Sequence, residues 1–277
     1  MPVESALFVV RNLVIIKLGG SVITDKTSQK KIFRKEVVER LAREIKTAKN
    51  KGNFNLILIH GAGSFGHPLA KKYRLNEGFL NSRSSEGYAK TKIGVIELNF
   101  LVFRELERAN LRACIVESSA VTTAVSGKIK KIDTEFIEFL LAQDIIPILS
   151  GDVVIDQRTG YSIISGDQIV SHLAKSFKAD RVVFVSDVDG VFDKDPKVYP
   201  DAKLIPEINK KNYRSIIKNM RVKNKKDVTG EMKGKILSIK RGLQGVKVII
   251  TNGQIRGNVL KSLVDSNTQK IGTILRF

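Results

Sequence analysis

Short β-branched runs alternate with longer stretches whose apolar residues recur at helical spacing, and this pattern governs most of the chain. Residues 13–16 (Leu-Val-Ile-Ile) have the make-up of a buried strand and run into a Gly-Gly-Ser turn. Over residues 33–49 the apolar positions Val37, Val38, Leu41, Ile45 and Ala48 fall on one side of a 3.6-residue period, which predicts a helix. Residues 56–59 predict a second strand, again closed by glycines. A long helix is then predicted over 93–109, a strand over 112–116, a helix over 134–143 and a strand over 145–149. The second half repeats this grammar. Residues 153–155 and 161–164 flank a turn at 156–160 and predict a hairpin. A helix over 167–177, a strand over 181–185, a helix over 234–243 and a strand over 246–250 follow.

Strands separated by crossover helices predict an α/β fold, a three-layer αβα sandwich around a mostly parallel central sheet. Ligands of such sheets bind beyond the carboxyl ends of the strands, where this chain places its polar glycine turns. No repeat of 20 to 50 residues is visible, nor any low-complexity segment. The stretch 210–230 is polar and basic, and reads either as a flap near a nucleotide or as a solvated excursion.

At 277 residues the chain is one large α/β domain or two small lobes. Its 42% hydrophobic and 27% charged residues match a soluble globular protein long enough to bury a core without disulfides. The single cysteine, Cys114, excludes an internal disulfide framework and favours a reducing cytosol. No positively charged segment precedes an apolar stretch near Met1, and no apolar run approaches the roughly 20 residues that span a bilayer. The expectation is a soluble, cytoplasmic protein with no membrane contact. The formal charge of +20 admits a nucleic-acid-binding reading. Basic residues are spread along the chain, however, with no finger, recognition-helix or aromatic-interleaved motif. A nucleic-acid partner is therefore not expected, and the charge instead steers phosphate-bearing ligands.

Five motifs carry candidate chemistry. In Lys17-Leu18-Gly19-Gly20-Ser21 two glycines after a strand let backbone N–H groups approach phosphate oxygens, and Lys17 adds a cation. It is no Walker loop. Lys26 lies nine residues on and by itself reads as a surface lysine. His60-Gly61-Ala62-Gly63-Ser64-Phe65-Gly66-His67 contains G-x-G-x-x-G, but no acidic strand end follows about 20 residues later, which argues against a dinucleotide site. His67, before Pro68, is expected in a polar turn, where it can donate to a phosphate. Ser165-Gly166-Asp167 enters a helix, so Asp167 is either an N-cap or a carboxylate that orients lysines. Ser186-Asp187-Val188-Asp189-Gly190 lacks the preceding helix and terminal Glu of a calcium loop and reads as a strand-end carboxylate near nucleotide. Asp227-Val228-Thr229-Gly230-Glu231-Met232-Lys233-Gly234-Lys235 opens a helix with glycines and two lysines, an anion site. Together these place phosphate nests and separated lysines on one rim, as phosphoryl transfer requires.

With these motifs the sequence resembles the amino acid kinase superfamily and, within it, the isopentenyl phosphate kinases, from Ile15 to about Gly257. The segment ending in His67 carries the narrower likeness. The resemblance implies a single amino acid kinase domain over 1–277, working as a homodimer, with an acceptor-binding half (1–155) and an ATP-binding half (156–277). It implies ATP-dependent conversion of isopentenyl phosphate to isopentenyl diphosphate in isoprenoid biosynthesis, with Mg²⁺ carried on ATP oxygens and no protein-held metal. His67 would then hold the acceptor phosphate, Lys17 and Lys235 the phosphates flanking the transferred group, and Lys26 the transition-state charge. Asp167 would align the lysines. Gly61, Ala62, Gly66 and Gly166 would line the substrate nests, with Gly19, Gly20 and Ser21 beside Lys17, and Asp187 and Gly230 would face ATP. Ala62 and Glu231 stand where glycine is expected, and Lys235 is preferred to Lys233 for the phosphates. The rival acceptor is a phosphonate such as fosfomycin. A rival of another class is a non-catalytic regulatory nucleotide-binding protein with a basic nucleic-acid surface. The acceptor's tail pocket is expected from helix residues between Phe79 and Phe103.

Overall fold

The computed structural model describes residues 12–25, 30–196, 198–220, 228–264 and 271–277. In chain order the first half comprises β1 (Leu13–Leu18), α1 (Gly20–Ile23), α2 (Lys35–Lys51), β2 (Asn55–His60), α3 (Gly63–Lys72), α4 (Ser82–Arg108), β3 (Ala113–Ile115), α5 (Ser118–Val121), β4 (Thr122–Val125), β5 (Lys128–Ile132), α6 (Glu135–Ala142) and β6 (Ile146–Ser150). The second comprises β7 (Asp152–Asp156), β8 (Gly160–Ile164), α7 (Gly166–Ser176), β9 (Arg181–Ser186), β10 (Glu207–Asn209), α8 (Tyr213–Asn219), α9 (Val228–Gly242), β11 (Lys247–Asn252), α10 (Asn258–Val264) and β12 (Gly272–Arg276).

Eight strands form the central sheet in the order β10-β12-β11-β9-β1-β2-β6-β3, and only the β11–β12 pair is antiparallel. β1 lies inside this sheet, so both its faces are buried and its residues read as one apolar run. Leu13 and Ile15 join the core shared with Ile59, Phe184 and the helices α6, α7 and α9, while Val14, Ile16 and Leu18 join the opposite core with α2, α4 and α10. Lys17 has the parity of Ile15, so its ammonium emerges on the α7 face.

The parallel ladder continues past the strand ends into the glycine turns. The Gly253 amide donates to Ser186, that of Gly19 to Val185, that of Gly61 to Leu18 and that of Gly151 to His60. The turns after β1 and β2 then meet backbone to backbone: a Cβ on Gly20 would lie 2.9 Å from the Gly63 backbone. Gly63 has φ of 50°, and a Cβ there would strike the Thr24 side chain, so this position admits glycine alone.

A second sheet, β5-β4-β7-β8, flanks the first, and β7–β8 is the expected hairpin. The boundary at 155/156 between the expected halves falls inside β7. β4, β5, β10, β12 and the helices α3, α8 and α10 lie outside the predicted elements, β10 and β12 being short strands toward the sheet's edge. α4 starts at Ser82, well before the predicted 93, with the Asn81 side chain and Ser84 forming a capping box. Glycines mask its first turns in the sequence. In the structure they are contact points, since a Cβ on Gly87 would collide with Tyr73 and one on Gly94 with the Phe65 carbonyl. Within the basic stretch, Tyr213–Asn219 is not a solvated excursion but helix α8, whose Tyr213, Ile216 and Ile217 pack on the core.

Asp156 closes the second sheet by accepting from the amides of Ser126, Gly127, Arg158 and Thr159. Burial pushes its carboxyl up, and these four donors outweigh that and hold it well below the ordinary carboxylate range. Its contribution is therefore complete above the unfolded value near 4 and is lost as pH falls toward the folded one. Asp156→Asn is expected to lower stability by about 1–3 kcal/mol at pH 7. Thermal melts should show the deficit shrinking below pH 4; a deficit independent of pH would contradict the assignment.

Candidate active site

The strand parity that turns Lys17 toward α7 sets up the centre of the site. Its ammonium lies 3.2 Å from one Asp167 oxygen, and the ammonium of Lys235 lies 3.7 Å from the other. Lys235 also sits over the Phe184 ring, 5.2 Å from its centroid. Burial pushes the Asp167 carboxyl up, but the two lysine charges bring it below its ordinary value, so it stays ionised at neutral pH. Asp167 is not the helix cap. Ser165 caps α7 by accepting from the Gln168 amide, and the Gln168 side chain returns a bond to the Ser165 amide. The capping box leaves Asp167 available to bridge two cations.

A cavity of about 180 Å³ opens beside this bridge. Gly61, Ala62, Gly66, His67 and Gly166 line it, together with Lys17, Gly20 and Asp167. Its apolar lining comes from Ala70, Val95, Val153, Ile163 and Ile164. Thr91 and Val95 come from the α4 segment where a tail pocket was expected, but β7 and β8 supply the opposite wall. His67 does not lie in a turn. It occupies the second turn of α3, whose sequence includes Gly66 and Pro68, and its exposed side chain meets the cavity. Ala62 takes φ of −67°, ordinary for any residue, so its methyl is tolerated. That methyl instead constrains Gly66, where an added Cβ would come within 2.7 Å of it.

On the other side of the Gly19-Gly20 turn, the Ser21 hydroxyl donates to Asp187 at 3.0 Å, joining two residues expected near nucleotide. Asp187 is exposed, and Val188, Phe192, Met220 and Met232 line a small apolar recess beyond it. Gly230 falls in the first turn of α9. Lys26 lies outside the described residues, as does the side chain of Glu231.

A cluster that the motifs did not signal lies against the cavity wall. Lys92 of α4 makes ion pairs with both Glu117 and Asp152 and donates to Ser119 at 2.9 Å. The Asp152 side chain is 0% exposed. Burial pushes its carboxyl up to about 6 against the pull of Lys92. Burial likewise takes the neighbouring His60 down to about 4, so its imidazole is neutral. The one legible signal was Lys92 and Asn99 sharing the buried side of α4 with Thr91, Val95 and Leu98.

The amino acid kinase family pattern matches residues 12–252. Isopentenyl phosphate kinase of Methanothermobacter thermautotrophicus is 36% identical over 260 residues, 91% of this chain and 95% of that protein. That of Methanocaldococcus jannaschii is 36% identical over 261 residues, with the same two coverages. A solved isopentenyl phosphate kinase structure superposes with a TM-score of 0.81 at 33% identity, covering 95% of this chain and 99% of the other. The chain belongs to the amino acid kinase family. Its α/β fold, with helices on both faces of a mostly parallel sheet, is that family's fold.

The Ala62–Gly66 contact is open to test. Gly66→Ala should cost about 1–3 kcal/mol through overpacking. Adding Ala62→Gly should recover part of that loss, so thermal melts of the four proteins in the cycle should give a favourable coupling. Strict additivity would remove the proposed steric reason for glycine at 66.

Proposed function

We propose that this protein is an isopentenyl phosphate kinase, carrying the γ-phosphoryl group of ATP to the phosphate of isopentenyl phosphate. An acceptor phosphate oxygen attacks the γ-phosphorus and the bond to the β,γ-bridging oxygen breaks. ADP leaves with that electron pair, and isopentenyl diphosphate remains, as a step of isoprenoid biosynthesis. The observation that carries this reading is one half-buried carboxylate, Asp167, holding Lys17 and Lys235 together beside a small cavity with a partly apolar lining. Two cations fixed before the reaction stabilise charge on a migrating phosphoryl group without reorganising as it moves.

In this reading the positive end of the α3 dipole and the His67 side chain hold the acceptor phosphate, because both favour an anion there. The Gly61, Gly66 and Gly166 backbone lets phosphate oxygens come close, with Ala62 at the edge of the nest. The five-carbon tail lies against Ala70, Val95 and Val153. ATP takes the other side: Lys17, Gly19, Gly20, Ser21 and Lys235 along its phosphates, with Asp187 and Gly230 nearby. Lys26 neutralises charge in the transition state. Magnesium enters with ATP on its phosphate oxygens, since the Asp167 carboxylate is committed to its lysines. The acceptor half spans 1–155 and the ATP half 156–277. The protein works as a cytoplasmic homodimer; Ile93, Ile96 and Phe100 form an exposed apolar stripe on α4 of the character a self-contact uses. No helix of the described residues is long and apolar enough to cross a membrane.

A coupled ADP-release assay with isopentenyl phosphate, dimethylallyl phosphate, fosfomycin and acetylglutamate tests the proposal. The highest kcat/KM is expected for isopentenyl phosphate. A preference for fosfomycin would replace the acceptor assignment, and no turnover combined with salt-sensitive DNA binding would replace the enzyme reading. His67→Ala should slow transfer by about 10²-fold, as for loss of an oxyanion donor, and Lys17→Met should abolish it in a folded protein.

A further inference from the structure

The acceptor cavity has two walls that no continuous backbone joins locally. One is α3 and α4, locked together where Gly87 and Gly94 let α4 meet Tyr73 and Phe65 closely. It supplies His67, Thr91 and Val95. The other is the corner from β6 into β7 and β8, which supplies Gly151, Val153 and Ile163. Lys92, next to Thr91, reaches across from the first wall and pairs with Asp152, between Gly151 and Val153, on the second. The same ammonium pairs with Glu117 and bonds Ser119, at the start of α5.

This strut also bears on the reacting end. The Asp152 carboxylate accepts from the Val153 amide at 2.8 Å, while the Gly151 amide binds the His60 carbonyl at 3.0 Å. A Cβ on Gly151 would come within 2.9 Å of the Gly166 amide, so this corner rests on the residue before Asp167. Burying the Lys92–Asp152 pair is costly, and an apolar pair of similar volume would stabilise the fold as well or better. What an ion cluster adds is a fixed distance between its partners.

We propose that Lys92 is a positioning residue that sets the width of the acceptor cavity and thereby selects acceptors with short tails. The proposal rests on the acceptor assignment made above. Lys92 itself touches no substrate; it acts through Asp152 and the α4 backbone.

The test compares wild type, Lys92→Met, Lys92→Arg and the near-isosteric Asp152→Asn, using isopentenyl phosphate and the monophosphate of a saturated ten-carbon alcohol. Lys92→Met is expected to raise KM for isopentenyl phosphate by about tenfold or more, as misplacement of a positioning wall does. KM for ATP should stay within about twofold, because that binding energy is not touched. The ratio of kcat/KM between the short and long acceptors should fall, and Lys92→Arg should restore most of it. A loss confined to kcat or to soluble yield, with both KM values and the ratio unchanged, would make Lys92 merely structural and overturn the proposal. Asp152→Asn reads the same ratio if Lys92→Met does not fold. Calorimetric titration of the two monophosphates gives the ratio as binding constants, so it is measured even if wild type proves to phosphorylate neither, an outcome that would sink the activity and not the strut.

Discussion

The site depends on how closely two glycine turns approach each other at the ends of β1 and β2. Gly20 and Gly63 meet backbone to backbone, and Thr24 fills the space that a side chain on Gly63 would need. The Thr24 hydroxyl donates to the Gly20 carbonyl at 2.7 Å and accepts from the Ser64 amide at 3.0 Å, which fastens the first turn of α3 to the turn after β1. Without that contact, Lys17 on β1 and His67 on α3 would belong to separate elements. With it they line one cavity.

Electrostatics then builds outward from this rim. Three cationic side chains are held close to the cavity by carboxylates: Lys17 and Lys235 by Asp167, and Lys92 by Asp152 and Glu117. The two groups of charges differ in what they are free to do. Asp167 is drawn below its ordinary value by two lysines, so the excess positive charge of that trio is available to a phosphate. In the Lys92 cluster two carboxylates outnumber the one lysine, so no positive charge is left over for a phosphate and the cluster acts as structure. The positive charge at the cavity is therefore concentrated at the Lys17–Asp167–Lys235 bridge.

Much of this was legible along the chain, for reasons that can be named. β1, β2, β6, β9 and β11 are buried strands of a largely parallel sheet, and such strands must be apolar on both faces, so they stand out as continuous runs. Glycine turns after strands are the points where backbone must come near either a ligand or another turn, and Gly20, Gly61 and Gly63 do so here. Elements with weak local signals were missed. The first turns of α4 contain serines and glycines whose value lies in contacts with α3, and β10 and β12 are short strands toward one edge of the sheet.

The sequence by itself therefore determined the α/β sandwich and the rim where the glycine turns gather, because strand periodicity and glycine spacing are local properties, and its motifs and family resemblance supplied the candidates Lys17, His67, Asp167 and Lys235. Tertiary structure alone decided that Ser165 and not Asp167 caps α7, that His67 rides on a helix, and that Lys235 reaches Asp167. It alone brought Lys92 to Asp152, 60 residues away in the chain. Ion pairs and cavity walls depend on distances between segments remote in sequence, and no local pattern of residue types encodes them.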